Sequence, residues 1–107
     1  MTEEDRWITT LKALADRSRL RIVRTLLDQP LTVNDLSERL GISQYNVSKH
    51  LRILREAGLV EVVNERLEIV PGVLPELRIY FDRLWLEASL GDSWLARRRV
   101  ENSDYGL

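Results

Sequence analysis

Apolar residues in the first thirty positions recur at intervals of three and four, the spacing of helices that bury one face. Asp16 divides this stretch into two predicted helices, because its carboxylate can cap the second one. Pro30 ends the second helical region. The apolar positions of the first predicted helix, residues 3–15, are Trp7, Ile8, Leu11, Leu14 and Ala15, and those of the second are Leu20, Val23, Leu26 and Leu27.

Two further helices are predicted between residues 32 and 57. Thr32 can cap the first of them, with Asp35 at the capping-box position, and Gly41 suits the left-handed residue that ends it. Ser43 caps the second, which ends near Gly58. A short helix, a turn centred on glycine and a longer helix in this order form a helix-turn-helix.

The second helix of this motif has two distinct faces. Successive residues rotate by about 100°, which puts Val47, Leu51 and Leu54 on one inward stripe. His50 lies on the flank of that stripe. The opposite face and the first turn are polar. The residues of the polar face are Tyr45, Ser48, Lys49 and Arg52, and those of the first turn are Gln44 and Asn46.

After Gly58 the period of the pattern changes to two. Segments 59–63 and 67–70 alternate and are rich in β-branched residues, so they predict a hairpin, or wing, over residues 59–70. Pro71, Gly72 and Pro75 lead into a long last helix over residues 73–99, which is either continuous or broken near Gly91 and resumed from Asp92. The predicted fold is mainly α with a small β-hairpin, a winged helix-turn-helix in one domain, residues 1–107.

Composition excludes several classes of function. The chain has no cysteine, which rules out disulfides, thiolate metal sites and cysteine nucleophiles. No apolar run is long enough to cross a membrane, and the acidic segment 2–5 is unlike a signal peptide, so we expect a cytoplasmic protein without a membrane partner. The order and spacing of residues assemble no catalytic group, so we expect no enzyme activity.

Charge is separated along the chain although the net charge is only −1. Residues 17–60 hold eight Arg or Lys and four Asp or Glu, while residues 61–92 hold three and seven. Phosphate binding depends on the local potential more than on the net charge. A basic middle segment therefore permits binding to double-stranded DNA.

Three strings resemble the ArsR family of winged-helix repressors, over about residues 10–63. They are ALADRSRLRI at residues 13–22, Ser43-Gln44 followed by VSKHL at residues 47–51, and LREAGLV at residues 54–60. The resemblance implies a homodimer that packs its first and last helices together. It also implies a palindromic operator and repression until an inducer releases the DNA.

Three departures from the family pattern limit this resemblance. Many metal-sensing members carry paired cysteines where this chain has Val33, Asn34 and Asp35, and the last helix contains no histidine. We therefore expect no metal site and no cofactor. The predicted wing offers only Arg66 as a phosphate contact, so we expect it to contribute little to binding.

Each candidate DNA contact has an alternative interpretation. The polar face could be a solvated helix surface, but its place after a capped helix and a glycine turn favours DNA, as does the outward Tyr45. His50 could contact DNA or could be a packed, hydrogen-bonded side chain. One or two of four arginines could line the phosphate backbone, with the others solvated, whereas the basic run 97–99 fits a soluble tail better. The four arginines are Arg17, Arg19, Arg21 and Arg24.

Large aromatic residues concentrate in the two terminal helices, whereas the helix-turn-helix core is aliphatic. Aromatic residues are enriched at subunit interfaces, which favours a homodimer over a monomer whose last helix covers its own core. The predicted interface residues are Trp7, Leu11, Tyr80, Phe81, Leu84 and Trp85.

The sequence predicts a sequence-specific transcriptional regulator, a repressor that binds a palindromic operator as a homodimer. The alternative is a winged-helix interaction module of a larger complex. Whether a small-molecule or protein effector exists is left open.

Overall fold

The computed structural model describes residues 1–90 and 94–101, without the side chains of residues 99–101. Helices and one antiparallel hairpin follow each other in the predicted order, which confirms the mainly α fold with a small wing. The elements are α1 Glu3–Leu14, α2 Arg17–Leu26, α3 Val33–Leu40, α4 Gln44–Glu56, β1 Val60–Val63, β2 Arg66–Ile69, α5 Val73–Leu90 and α6 Trp94–Glu101.

The chain divides into two compact units, Met1–Val73 and Leu74–Leu107. The first contains the helix-turn-helix and the wing, and the second contains nearly all of α5 and the whole of α6. The single domain predicted over residues 1–107 stays a prediction, and each unit is described by itself. The predicted break near Gly91 and restart at Asp92 lie outside the described residues.

The ends of the two helices in the motif form as predicted. Thr32 Oγ1 accepts the amide of Asp35 at 3.1 Å, and Asp35 Oδ2 accepts the amide of Thr32 at 3.1 Å. Gly41 adopts φ 66°, the left-handed conformation that glycine reaches without a steric penalty. Ser43 Oγ accepts the amide of Asn46 at 3.2 Å. Because each cap is made within four residues, α3 and α4 have sharply defined boundaries.

The core of the first unit is aliphatic. Side chains from α2, α3, α4 and the segment before β1 are completely buried there, and α4 contributes two of them. Leu31 also pairs with Leu67 of β2 through two backbone hydrogen bonds of 2.7 and 3.2 Å, which fixes the loop before α3 to the hairpin. The completely buried aliphatic residues are Ile22, Leu36, Val47, Leu54 and Leu59.

The inward face of α1 differs from the predicted stripe. Trp7, Thr10 and Ala13, spaced by three, are buried, while Ile8 is 48% exposed. Thr10 tolerates burial because its hydroxyl donates to the carbonyl of Arg6 at 3.0 Å. A prediction from hydrophobicity alone misses Thr10 as a core residue, because it does not consider that the hydroxyl forms a hydrogen bond within its own helix.

The inward face of α2 is rotated in the same way. Leu20 and Leu27 were expected in the core, but they are 44% and 59% exposed. Val23 and Leu26 are buried as predicted, together with Ile22, which the predicted stripe left out. The predicted spacing fits two adjacent faces of one helix, and packing against α3 and α4 selects one of them.

Candidate nucleic-acid interface

The polar face of α4 is open to solvent. Tyr45 is 73% exposed, and Ser48, Lys49 and Arg52 are exposed with it. Lys49 Nζ lies 5.7 Å from the centroid of the Tyr45 ring, a cation–π contact that aligns the two side chains along the helix. Burial of the opposite stripe fixes the rotation of α4, so the predicted face is presented outward as a unit.

Gln44 and Asn46 lie in the first turn of α4, and both are exposed. Gln44 Nε2 donates to Asn34 Oδ1 of α3 at 2.7 Å. Asn34 Nδ2 in turn donates to Glu38 Oε1 at 3.3 Å. Sequence reasoning missed Asn34 as a neighbour of this site. The only local signal was the spacing of four between Asn34 and Glu38.

His50 is held within the protein and does not extend from it. Its side chain is 23% exposed, and its Nδ1 lies 3.3 Å from Arg19 Nη1 and 3.9 Å from Asp16 Oδ2. Arg19 Nε donates to the carbonyl of Ala13 at 2.6 Å, which satisfies an orphan acceptor at the end of α1. These contacts join α1, α2 and α4 and favour the packed interpretation of His50.

The cap of α2 is electrostatically reinforced. The amide of Arg19 donates to Asp16 Oδ2 at 3.0 Å. This hydrogen bond, with the Arg19 guanidinium and the imidazole of His50 nearby, holds the pKa of Asp16 below its ordinary value of 3.8 despite some desolvation. Asp16 therefore contributes stability in its ionised form.

The four arginines of α2 have different surroundings. The sequence predicted that each of these arginines would either line a phosphate backbone or be solvated. Arg19 does neither, because it is half-buried and its guanidinium is hydrogen-bonded to the carbonyl of Ala13. Arg21 is exposed, and its Nη2 donates to the carbonyl of Leu40 at 3.2 Å, near the end of α3. Arg17 and Arg24 are exposed. Spacing along the helix did not distinguish these environments, because tertiary neighbours create them.

The wing has a two-residue turn at Asn64 and Glu65, with φ of 50° and 66°. Arg66, the predicted contact, is exposed and begins β2 opposite Val63. The amide and hydroxyl of Thr32, and more weakly the charge of Arg66, lower the pKa of Asp35.

Two comparisons of sequence identify the family. The family described as "Bacterial regulatory protein, arsR family" matches residues 16–62. A transcriptional regulator of Mycobacterium tuberculosis, Rv2034, is 37% identical over 84 residues, which cover 75% of this chain and 78% of that protein. The chain belongs to the ArsR family. Membership confirms the prediction of a transcriptional regulator that is not an enzyme.

Another relative of this ArsR-family chain is the transcriptional regulator NmtR of Mycobacterium tuberculosis. It is 52% identical over 52 residues, which are 49% of this chain and 43% of NmtR. The match therefore spans less than half the length of NmtR.

Solved structures share the winged-helix architecture of this ArsR-family chain. HlyU from Vibrio cholerae is 33% identical with a TM-score of 0.64, covering 79% of this chain and 98% of that one. An ArsR-like regulator from Rhodococcus sp. RHA1 is 26% identical with a TM-score of 0.78, and the match covers 92% of this chain and 94% of that one. A homodimeric winged helix-turn-helix DNA-binding domain from Mycobacterium bovis is 25% identical with a TM-score of 0.62, covering 78% and 81%. These likenesses confirm the predicted winged helix-turn-helix.

The aromatic residues assigned to an ArsR-type interface differ in exposure. Trp7 is only 3% exposed in the single chain and has almost no surface to offer a partner, while its assignment to an interface stays a prediction. Its ring is covered in part by the Arg6 guanidinium, 4.5 Å from the ring centroid. In the second unit Tyr80 is half-buried and packs edge-on against Phe81, with ring centroids 6.0 Å apart.

The other predicted interface residues retain exposed apolar surface. Leu11 of α1 is 36% exposed, Leu84 is 43% exposed and Trp85 is 56% exposed. Further exposed apolar residues of α5 and α6 are Ile79, Leu86, Leu90, Trp94 and Leu95.

Two other features of this ArsR-family chain concern metals and membranes. Over residues 1–90 and 94–98, whose side chains the structure describes, no three His, Asp or Glu side chains group as ligands for a metal ion. Among those same residues, no helix combines the length and the apolar character needed to cross a membrane.

Proposed function

We propose that this chain is a sequence-specific DNA-binding regulator that inserts α4 into the major groove of double-stranded DNA. The observation that carries the proposal is the open polar face of α4, held outward by a fully buried stripe on its other side. A helix fits the major groove and reads base edges through side chains of its first turns. Tyr45, Ser48 and Lys49 supply a phenol, a hydroxyl and an ammonium to that groove.

Within this face the roles divide by chemistry. Gln44, Asn46 and Ser48 carry both donors and acceptors, which suits them to base edges. Lys49 and Arg52 carry only donors and positive charge, which suits them to phosphate oxygens. The first group therefore sets the preferred sequence, while the second sets affinity and its dependence on salt.

Arg66 and His50 lie outside the polar face of α4. Arg66 is exposed at the start of β2 and supplies one phosphate contact from the wing. The wing adds little more, because Glu61 and Glu68 lie opposite each other in the hairpin and repel phosphate. His50 holds α4 in place through Arg19 and contributes to binding through that position.

The active species is a homodimer that binds a palindromic operator in the cytoplasm. Exposed Leu11, Phe81, Leu84 and Trp85, with half-buried Tyr80, supply apolar surface to the interface. A two-fold dimer places its recognition helices about 34 Å apart, one turn of DNA, and so selects an inverted repeat. Occupancy of an operator that overlaps a promoter blocks transcription, so the regulator acts as a repressor.

Selection from a random duplex library with the full purified chain tests this proposal. We expect enrichment of an inverted repeat whose half-sites are centred about 10 base pairs apart. Enrichment of unpaired half-sites would contradict the dimer and retain the DNA-binding function. Absence of enrichment at low salt would overturn DNA binding and favour a protein-interaction module.

A further inference from the structure

We propose that Asn34 is a positioning residue that fixes the amide of Gln44 so that it reads adenine. This inference rests on the proposed function, because it concerns a residue of the DNA-reading face. The geometry behind it is a chain of hydrogen bonds that crosses the turn from α3 to α4. Gln44 Nε2 donates to Asn34 Oδ1 at 2.7 Å, and Asn34 Nδ2 donates to Glu38 Oε1 at 3.3 Å.

The orientation of each amide follows from the last member of the chain. The ionised carboxylate of Glu38 has acceptors and no donor, so Asn34 must turn its Nδ2 toward it. Asn34 Oδ1 then faces α4 and can only accept. Gln44 must therefore present its Nε2 to Asn34, which directs its Oε1 away from α3.

Two hydrogen-bonding groups of Gln44 remain for DNA. One is Oε1, an acceptor, and the other is the second hydrogen on Nε2, a donor. Adenine presents a matching pair in the major groove, the N6 donor beside the N7 acceptor. Guanine presents N7 and O6, both acceptors, so Oε1 would face an acceptor without a proton between them.

The position of Asn34 supports a role in orientation and not in folding. Asn34 and Gln44 are both exposed, and the hydrogen bond between them is itself open to solvent. The turn itself is held elsewhere, by the hydroxyl of Ser37, which donates to the carbonyl of Ile42 at 2.6 Å, and by left-handed Gly41. Loss of the Asn34 amide should thus leave the helix-turn-helix folded.

The experiment compares DNA selected from a random duplex library by the full chain and by three variants. Gln44→Ala locates the base pair that Gln44 reads, as the position whose preference disappears. At that position the wild type should favour adenine over guanine by about fivefold to 150-fold, the range for a bidentate contact. Asn34→Ala should reduce this preference by about 2-fold to 12-fold, the range for one hydrogen bond.

Asn34→Asp is the matched variant, because its carboxylate still accepts from Gln44 Nε2. It should keep the adenine preference while its added negative charge lowers affinity for every sequence. A preference for guanine at the Gln44 position, or an unchanged preference in Asn34→Ala, would overturn the inference and leave the proposed function intact. A wild-type chain that selects no DNA would overturn the proposed function and this inference together.

Discussion

The imidazole Nδ1 of His50, in α4, lies 3.3 Å from a guanidinium nitrogen of Arg19, in α2. The same guanidinium group donates through Nε to the carbonyl of Ala13 at the end of α1. One arginine thereby joins the last turn of the first helix to the middle of the recognition helix. The contact thus adds a polar link between α1, α2 and α4 to the apolar packing that fixes the rotation of α4.

Removal of this contact should destabilise the protein more than it changes DNA contacts. His50→Ala and Arg19→Ala should each lower the free energy of unfolding, with a coupling energy of at least about 0.5 kcal/mol between them, as expected for residues in contact. Urea denaturation of the two single variants and the double variant measures this coupling. If the two single variants lower the free energy of unfolding additively, the proposed contact between His50 and Arg19 is contradicted. If folded His50→Ala loses as much DNA affinity as Lys49→Ala, His50 is a DNA contact.

Asp16 should make stability depend on pH in the acid range. Its folded-state pKa lies below 3.8, so its ionised form contributes stability that is present above that value and is lost as the pH falls through the folded pKa. Asp16→Asn keeps a capping oxygen and removes the charge. We expect the variant to melt at a lower temperature than the wild type at pH 6, and the difference to shrink as the pH falls below 3.8 toward pH 2. A constant difference across this range would show that the charge of Asp16 is not involved.

Glu65, in the turn of the wing, has a left-handed backbone conformation that residues with a side chain rarely adopt. Glu65 has φ 66°, which costs a side-chain-bearing residue about 1–2 kcal/mol. Glu65→Gly produces the Asn-Gly pair preferred in such two-residue turns and should raise the free energy of unfolding by about 0.5–1 kcal/mol. Asn64→Gly is the control and should give a smaller gain, because asparagine tolerates this conformation. Equal gains in urea denaturation would contradict the argument.

Lys49 should contribute to the salt dependence of DNA binding. Loss of one phosphate contact per protomer flattens the slope of log affinity against log salt by about 0.9, or about 1.8 for a dimer on DNA. Fluorescence anisotropy of Lys49→Ala with a selected duplex, at several salt concentrations, measures this slope. Arg78→Ala removes an exposed cation of α5 and should leave the slope unchanged. The same slope in Lys49→Ala as in the wild type would place the DNA face elsewhere.

Trp85 should be required for self-association. It is 56% exposed in the single chain, and replacement by glutamate would bury a charge in the proposed interface. Sedimentation equilibrium should give a dimer for the wild type and a monomer for Trp85→Glu. Leu20→Glu alters an exposed apolar residue of α2, 44% exposed, and should stay dimeric. A monomeric wild type, or a Trp85→Glu dimer, would exclude this interface.

The sequence predicted the outward face of α4 because two local signals agreed. Ser43 fixed where the helix begins, and the spacing of Val47, Leu51 and Leu54 fixed its rotation. For α2 the same argument was right about Val23 and Leu26, which are buried, and wrong about Leu20 and the C-cap residue Leu27, which are exposed. In α4 three of the four aliphatic residues occupy one stripe and only Ile53, 37% exposed, lies off it. In α2 the aliphatic residues spread over two adjacent faces, so periodicity alone could not select between those faces.

The sequence alone determined the caps of α3 and α4, the turn between them and the recognition face of α4. Each of these depends on groups within a few residues of one another. Only the tertiary structure assigned Arg19 to the end of α1, paired Leu31 with Leu67 and joined Asn34 to Gln44. These contacts connect residues from six to 36 positions apart, and many other residues of the same types are available at such distances. Their selection depends on how the helices pack, which local periodicity does not encode.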